Sequence, residues 1–457
     1  MKRTHFAALI AFTAGVSLLV SSPAAAQRGQ RGGPPVNLPD KPTAVSIPAV
    51  SAEITGPGPI YDSTPSLPQG RGLARYGYEA REYFISGSAN GKPYKTRIMV
   101  RKPSNNRKFS GLVQVEAMHP SGAAHMFEFT SDYTMTSGNM AIEVVTNLTE
   151  PLAQNKERYK DLKVDPDQVS EILAQAGALI KQKKTGTPFA GLAIRKMVLL
   201  GTSATAAILV AYLPAHMVFR TPDMERIYDG FLPMSTGATV RAVDVPLIEV
   251  PTMTEVFGGN VSKRPDGDKP GDQFRIYEFA GMAHVDSRDS VRFKPDPCRN
   301  PISQFPEQAY MSVALRALLD WVDKGKVPPR APRIMTETVD GRSVIAVDEN
   351  GNAKGGIRNP YVDVPAAKFT VRNEAANPPI PNPSAWVAAH GQGAPAQMCG
   401  LAGYENVFSR DQLQKLYGNR KTYESRVRKD LDELEKAGWS LPVYRDTILG
   451  DAAKTAF

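Results

Sequence analysis

The sequence predicts an α/β fold with a mostly parallel central sheet flanked by helices. Short apolar runs that are typical of buried strands alternate with segments of helical spacing between about residues 78 and 322. This alternation favours a parallel sheet that is covered on both faces. The 457 residues are enough for one large domain with insertions or for two domains, and 42% hydrophobic and 22% charged residues are ordinary for a globular protein.

The N-terminus has the pattern of an export signal. Two basic residues precede the apolar run Phe6–Val20, and Ala24–Ala26 supplies a small-residue cleavage site. The pattern predicts a signal peptide over residues 1–26 that is cleaved after Ala26. A membrane anchor is disfavoured because the apolar run is short. We therefore expect a periplasmic or secreted protein whose residues 27–43, rich in Gly, Pro, Arg and Gln, form a flexible leader.

Seven strands are predicted along the chain. The first two flank a stretch rich in Gly, Ser and Asn, which predicts a hairpin. The predicted strands are Tyr78–Ile85, Tyr94–Val100, Gly111–Val115, Ala141–Val145, Met197–Leu200, Val245–Val250 and Phe274–Phe279.

Five helices are predicted from apolar spacing and from helix caps. Ser409 and Gln412 fit a capping box at the start of one of them, and Gly438 stops another. The predicted helices are Gln168–Lys184, Ala204–Leu213, Ala309–Val322, Ser409–Tyr417 and Thr422–Lys436.

These elements define the expected domain organisation. Residues 44–330 are predicted to form the core, with an insertion at about 149–192 that acts as a lid. The segment His216–Thr239 is expected to be a loop that shapes the pocket. Pro and Asn become dense after about residue 325, so residues 331–457 are predicted to be a C-terminal extension that packs on the core. Three aromatic residues of the loop either line the pocket or belong to the core: Phe219, Tyr228 and Phe231.

Ser203 is the candidate nucleophile. It lies in Gly201–Ala206, directly behind the apolar strand Met197–Leu200 and ahead of a helix-forming run. Such a strand–turn–helix exposes the serine hydroxyl at the end of a sheet and presents the backbone N–H of Ala204 where an oxyanion would form. The alternative is a serine that only caps the helix.

His284 and Glu255 are the candidate base and acid. His284 follows the predicted strand Phe274–Phe279 in a loop of small residues, although a purely structural histidine would also fit there. Glu255 is the first carboxylate after the strand Val245–Val250 and lies between the serine and the histidine in the chain. It would orient the imidazole and stabilise the imidazolium. Asp244, Glu249 and Asp286 are disfavoured by their positions in the sequence.

We expect the second oxyanion donor to lie just after the strand Gly111–Val115. There a backbone N–H of Met118 or His119 could reach the site, and an ordinary turn is the alternative.

Cys298 and Cys399 are the two cysteines of the chain. In an oxidising compartment they are expected to form a disulfide between the segment after His284 and the C-terminal region. Two buried free thiols are the alternative.

Several classes of partner and cofactor are disfavoured. The net charge of +9 comes from scattered basic residues, so nucleic-acid binding is not expected. His119 and His125 lie close in sequence, but no H-E-x-x-H motif or acidic cluster accompanies them, and no metal site is predicted. No G-x-G-x-x-G or Walker motif is present. We expect no cofactor, no nucleic acid and no membrane span, and the oligomeric state is open.

The chain resembles the α/β-hydrolase superfamily, and within it a family of exported bacterial proteins known as "α/β hydrolase domain". The resemblance covers about residues 75–455 and implies the α/β-hydrolase fold with a Ser-acid-His site. Two departures are Thr205, where the common pattern has glycine, and glutamate rather than aspartate as the acid. The matching segments are Gly201–Ala206, Tyr228–Phe231, Thr252–Val256, Ala280–His284 and Asn359–Pro365.

The motifs together predict an exported serine esterase that acts on a small-molecule or polymeric ester. The preference for esters rests on the resemblance. A non-catalytic binding protein on the same scaffold and another acyl-transfer enzyme, such as a lactonase or peptidase, are the alternatives.

Overall fold

The fold is taken from a computed structural model that describes residues 38–65, 67, 72–183, 185–237, 239–259, 261–286, 288, 296–381 and 393–457. The predicted signal peptide and most of the predicted leader lie outside the described residues.

Among the described residues, the first two strands are short and the two strands of the first hairpin, β3 and β4, are the longest. In chain order they are β1 (Thr43–Ala44), β2 (Ala49–Val50), β3 (Tyr78–Ala89), β4 (Lys92–Pro103), β5 (Leu112–Ala117), β6 (Met140–Val144), β7 (Lys196–Thr202), β8 (Phe219–Arg220), β9 (Gly230–Met234), β10 (Leu247–Glu249), β11 (Gly267–Lys269), β12 (Asp272–Ile276), β13 (Thr336–Val339), β14 (Arg342–Ile345), β15 (Ala367–Thr370) and β16 (Tyr404–Val407).

The α-helices alternate with the central strands and then dominate the C-terminal end. In chain order they are α1 (His125–Thr136), α2 (Thr149–Gln154), α3 (Lys156–Tyr159), α4 (Val169–Gln182), α5 (Ala204–His216), α6 (Met253–Phe257), α7 (Glu307–Lys324), α8 (Pro360–Asp363), α9 (Ala394–Leu401), α10 (Arg410–Tyr417), α11 (Arg420–Ala437) and α12 (Arg445–Lys454).

A mostly parallel sheet forms the centre of the molecule. Within the described residues its order is β11-β12-β10-β9-β7-β5-β6-β4-β3-β2. The six strands from β12 to β6 pair in parallel. The four outer strands β11, β4, β3 and β2 pair with their neighbours in antiparallel fashion. The predicted α/β class is therefore confirmed, including the hairpin of β3 and β4.

Both faces of the sheet are covered. On β7, Val198 and Leu200 belong to the hydrophobic cluster that contains α7. Met197 and Leu199 belong to the cluster that contains α4 and α5. Because side chains alternate between the two faces of a strand, an uninterrupted apolar run is what a strand buried on both sides requires.

The segment that was predicted to be a pocket loop, His216–Thr239, contains the central strand β9. This part of the prediction is wrong. Pro233 lies inside the strand, and a proline in a short run weakens the sequence signal because it cannot donate to a neighbouring strand. The three aromatic residues of the segment are fully or almost fully buried in one hydrophobic cluster and belong to the core: Phe219, Tyr228 and Phe231.

The segment predicted to be a lid, residues 149–192, contains the helices α2, α3 and α4. Its helix α4 lies against the sheet and buries a full apolar face, including Ile172, Leu173 and Leu179. This helix serves the core rather than a lid.

The C-terminal helices contact the core through apolar side chains. Leu413 of α10, Leu431 of α11 and Ile448 of α12 are buried in the same hydrophobic cluster as Leu318 of α7. Cys298 and Cys399 form a disulfide, which confirms the predicted pairing. No helix among the described residues is long and apolar enough to cross a membrane.

Candidate active site

The site lies where the strand order reverses. From β5 the chain passes through α1 to β6 on one side, whereas β7 pairs with the other side of β5. The connections after β5 and β7 therefore diverge, which is the arrangement in which open α/β sheets bind ligands at the carboxyl ends of their strands. Ser203 directly follows β7, and the loop that begins with Met118 directly follows β5.

Ser203 sits on a strained turn. Its backbone has φ +54° and ψ −120°, a conformation that residues with a side chain rarely adopt. Ser203 occupies the N-cap position of α5, but its hydroxyl makes no cap hydrogen bond. The hydroxyl oxygen instead lies 2.9 Å from Nε2 of His284. The alternative of a serine that only caps the helix therefore does not fit this geometry.

Gly201 and Thr205 explain why the turn forms. A Cβ atom at Gly201 would collide with the backbone of Thr205 and Ala206, so only glycine permits this close approach of strand and helix. The Thr205 hydroxyl accepts a hydrogen bond from the Thr202 N–H and donates one to the Thr202 carbonyl, both at 2.9 Å. Where the common pattern has glycine, this threonine closes the turn with its side chain.

His284 and Glu255 complete a chain of hydrogen bonds with Ser203. Nδ1 of His284 lies 2.6 Å from Oε1 of Glu255. Oε2 of Glu255 accepts hydrogen bonds from the N–H and the hydroxyl of Thr252, at 2.8 and 2.7 Å. Thr252 and Glu255 form the capping box that begins α6. The start of α6 therefore holds the Glu255 carboxylate in place. Oε2 accepts the hydrogen bonds from Thr252, and Oε1 faces His284.

The charge state of Glu255 is set by opposing effects. Burial alone would raise the pKa of this carboxyl, but the opposite charge of His284 and the hydrogen bonds from His284 and Thr252 hold its pKa below the ordinary value. Ionised Glu255 is therefore the stable form at neutral pH. Its contribution to folding stability is present above the unfolded-state pKa and is lost as pH falls through the lower folded-state pKa.

Among the described residues, no recorded hydrogen bond joins His284 to the other carboxylates considered for the acid. Asp244 lies 2.8 Å from Nε2 of His216, whose hydrogen bond lowers the pKa of Asp244. Glu249 is fully buried within β10, and burial raises its pKa to about 8. Asp286 lies beside buried Glu307, and burial together with this neighbour raises the pKa of Glu307.

The predicted backbone oxyanion donors of the loop after β5 are not available. The Met118 N–H donates to the Val144 carbonyl at 2.8 Å, because the pairing of β5 with β6 continues one residue beyond β5. The His119 N–H donates to the Ala123 carbonyl at 2.9 Å and closes a tight turn. The prediction for these two N–H groups is therefore wrong. Ala204 is the first residue of α5, so its N–H is among those without a partner inside the helix.

The C-terminal extension holds the loop that carries His284. The His284 N–H donates to the Thr254 hydroxyl at 3.1 Å, and that hydroxyl lies 3.4 Å from the Leu401 carbonyl. Val285 pairs with Ala402 in a β-bridge. These contacts could not be predicted from the sequence, since the partners lie more than 100 residues apart. Only the cysteine pairing indicated that the two regions meet.

We expect the disulfide to hold His284 in position as well as to stabilise the fold. Cys399 lies two and three residues before Leu401 and Ala402, so its loss should loosen the support of His284. In the Cys298→Ala/Cys399→Ala variant, any activity that depends on His284 should fall on the order of 10- to 100-fold, because small misplacements of a reacting group are costly. Steady-state kinetics well below the unfolding midpoint would measure this.

Dithiothreitol provides the matched control. It should lower the kcat of the wild-type protein and leave the double variant unchanged. A double variant that is folded and has wild-type kcat would show that the disulfide supports the fold alone.

Metal-ligating residues do not converge in the part of the chain that the structure describes. No group of three or more His, Cys, Asp and Glu side chains there is placed to hold a metal ion.

The fold and the turn at Ser203 define the class to which the protein belongs, the α/β hydrolases. A central parallel strand that runs through a strained turn into a helix is the mark of this class. The sequence matches the family described as "Alpha/beta hydrolase domain" over residues 41–450, and the chain belongs to this family.

Three hydrolases are among the solved structures that match part of the chain. A cold-adapted esterase from an Arctic intertidal metagenomic library is 11% identical, with 44% of this chain and 84% of the esterase covered and a TM-score of 0.24. The poly(3-hydroxybutyrate) depolymerase LpqC from Bordetella parapertussis is 10% identical, with 55% and 91% covered and a TM-score of 0.33. A thermostable esterase from Pseudomonas putida is 11% identical, with 47% and 76% covered and a TM-score of 0.28. No curated protein matches the sequence.

Proposed function

We propose that this protein is an exported serine hydrolase that cleaves carboxylic esters through an acyl-enzyme. One observation carries the proposal. An unbroken hydrogen-bonded chain runs from the Ser203 hydroxyl through both ring nitrogens of His284 to the Glu255 carboxylate, with contacts of 2.9 and 2.6 Å. A serine hydroxyl is a weak nucleophile until a base within hydrogen-bond reach takes its proton.

The proposed reaction has two halves. Ser203 Oγ attacks the ester carbonyl while His284 Nε2 takes the hydroxyl proton, and the resulting tetrahedral intermediate carries the negative charge on the former carbonyl oxygen. His284 then gives the proton to the alkoxide as the C–O bond breaks, which releases the alcohol and leaves the acyl group on Ser203. Water repeats the sequence in the second half and releases the acid.

Glu255 supports both halves without exchanging protons itself. Its Oε1 accepts the Nδ1–H of His284, which fixes the tautomer in which Nε2 is the base. Its negative charge also stabilises the imidazolium that forms in each half. The N–H of Ala204 and the positive end of the α5 dipole favour charge on an oxyanion in front of Ser203.

Ester substrates are favoured by chemistry, because an alkoxide leaves more readily than an amide nitrogen. Export is favoured by the predicted signal peptide and by the disulfide, since disulfides persist in oxidising compartments. The proposal does not specify the acyl and alcohol groups of the substrate.

Labelling with a fluorophosphonate probe tests the proposal. The wild-type protein should gain the mass of one phosphonyl group on a peptide that contains Ser203, and Ser203→Ala should gain none. Ser235→Ala is a matched control, because Ser235 follows β9 at the same edge of the sheet, also has a positive φ (+48°) and is buried. This control should be labelled like the wild-type protein.

The outcomes separate the alternatives. Folded wild-type protein that is neither labelled nor active on p-nitrophenyl acetate would support a non-catalytic binding protein. Labelling at Ser203 with turnover of lactones or peptides, but not of linear esters, would replace the esterase with another acyl-transfer enzyme.

A further inference from the structure

Thr202, the last residue of β7, lies beyond the point where β5 pairs with β7. Within the described residues, the pairing of these two parallel strands ends at Glu116 and Leu200. Along a parallel strand, the N–H and C=O of one residue point to one neighbouring strand, and those of the next residue point to the other. Lys196 donates its N–H to Gly111, just before β5, so every second residue from Lys196 onward faces β5. Thr202 is one of them, and its N–H and C=O point past the end of this pairing.

The Thr205 hydroxyl pairs with both of these backbone groups. It accepts the Thr202 N–H and donates to the Thr202 carbonyl, each at 2.9 Å. Thr202 and Thr205 are only 2% and 1% exposed, so the contacts lie in the interior. A buried N–H or C=O that loses its partner is costly, because water cannot replace the lost hydrogen bond. A side chain therefore takes the place of a strand at the end of β7, and it belongs to the residue at which the sequence departs from the common pattern.

The peptide group between Thr202 and Ser203 is held from both sides. Its C=O accepts the hydrogen bond from the Thr205 hydroxyl, and its N–H donates to the Met234 carbonyl of β9 at 3.1 Å. The orientation of this peptide group sets φ of Ser203, which is +54° and therefore strained. A strained conformation persists only where the surrounding contacts over-determine it. The Thr205 hydroxyl thus supplies one of the two recorded hydrogen bonds that hold this peptide group in place.

We propose that Thr205 is the positioning residue of the nucleophile, because its hydroxyl replaces a strand partner of Thr202 and so keeps Ser203 in the conformation that directs its hydroxyl to His284. The proposal rests on the proposed esterase function. The Ser203 hydroxyl lies 2.9 Å from Nε2 of His284 while φ of Ser203 is +54°. A rotation of the preceding peptide group would redirect the Ser203 side chain and change this distance. The alternative is a Thr205 hydroxyl that only stabilises the start of α5.

Replacing Thr205 with valine keeps the branched shape of the side chain and removes the hydroxyl. Ser203 can then relax towards a less strained φ, so kcat on p-nitrophenyl acetate should fall by about 10- to 100-fold with little change in KM, which is the order of loss that a small misplacement causes. Phosphonylation of Ser203 by the fluorophosphonate probe should slow by a similar factor, because the same hydroxyl attacks the phosphorus. Steady-state kinetics and labelling time courses, both well below the unfolding midpoint, measure these rates.

Thr205→Ser and Thr205→Ala differ from each other in one oxygen atom and test the hydroxyl itself. Thr205→Ser keeps the group that pairs with Thr202, so its kcat and labelling rate should stay close to those of the wild-type protein. Thr205→Ala loses that group, and both rates should fall as far as in Thr205→Val. This pair keeps the test decisive if Thr205→Val does not fold.

Thr221→Val is the matched control for a loss of stability alone. Thr221 is 3% exposed, and its hydroxyl accepts the Glu225 N–H at 3.1 Å. It follows the far end of α5, whose 13 residues separate it from Ser203 by about 20 Å along the helix. Thr221→Val should therefore lower the unfolding temperature and leave both kcat and the labelling rate unchanged.

Folded Thr205→Val and Thr205→Ala variants with wild-type kcat and labelling rates would overturn this assignment and leave Thr205 a role in helix stability alone. A Thr205→Ser variant as slow as Thr205→Ala would also overturn it, because the hydroxyl would then not be the group that acts. In both cases the wild-type protein is still labelled at Ser203, so the proposed esterase stands. Absence of labelling and turnover in the wild-type protein would instead refute the proposed esterase.

Discussion

Replacing His284 with alanine should lower kcat for ester hydrolysis by about 10⁴–10⁶-fold and leave KM nearly unchanged. His284 Nε2 lies 2.9 Å from the Ser203 hydroxyl, and no other described side chain is recorded in hydrogen-bond contact with that hydroxyl. Without the imidazole, the serine proton has no acceptor in the transition state. Steady-state kinetics with p-nitrophenyl acetate and a change in fluorophosphonate labelling rate would measure the loss.

Added imidazole provides the matched test. The cavity left by His284→Ala lies between Ser203 and the Glu255 carboxylate, so free imidazole should restore part of kcat in a saturable manner. The Ser203→Ala/His284→Ala double variant should show no rescue. Activity of His284→Ala equal to that of the wild-type protein would remove His284 from the mechanism.

Replacing Glu255 with glutamine should lower kcat by about 10⁴-fold, because it installs the wrong tautomer of His284. Thr252 donates two hydrogen bonds to Oε2 of Glu255, so the glutamine amide would place its oxygen at that position. Its NH₂ group would then face Nδ1 of His284 and donate to it. The imidazole proton would move to Nε2, which could no longer accept the proton of Ser203.

Glu255→Asp is the matched control for this substitution. It keeps the charge but shortens the side chain, so its loss in kcat should be much smaller than that of Glu255→Gln. ¹⁵N chemical shifts of the His284 ring would report the tautomer directly. A Glu255→Gln variant with the wild-type tautomer and wild-type kcat would show that another group orients the histidine.

The residues that supply the site were predictable because their local signals are strong. Gly201 before Ser203, with a four-residue apolar strand ahead of them, indicates a strand–turn–helix. Glu255 was found as the first carboxylate after a predicted strand, and the structure shows a second local reason for its position, namely the capping box with Thr252. His284 was found from its order in the chain and its loop of small residues.

The prediction that a backbone N–H of Met118 or His119 is the second oxyanion donor failed for a physical reason. The sequence places Met118 and His119 after a strand, but it does not show how far the pairing with β6 extends. One additional hydrogen bond to Val144 removes the first donor, and a tight turn that ends at Ala123 removes the second.

The strand β9 likewise could not be predicted from the sequence, because its strand pairing is visible only in the fold. Its five residues include Pro233, and only the pairing with β7 and β10 on either side makes them a strand. The predicted lid also contains α4. The spacing of its apolar residues predicts a helix, but it does not show that the helix packs against the central sheet.

The sequence by itself determined the α/β class and the order Ser203, Glu255, His284, and it predicted the export signal and the disulfide between the two cysteines. These features depend on periodicity, residue type and position along the chain. The tertiary structure decided which N–H groups remain available, which side chains meet, and how the region around Leu401 supports His284. Hydrogen bonds between residues far apart in sequence form only once the chain has folded, because the tertiary structure determines where each donor and each acceptor lies.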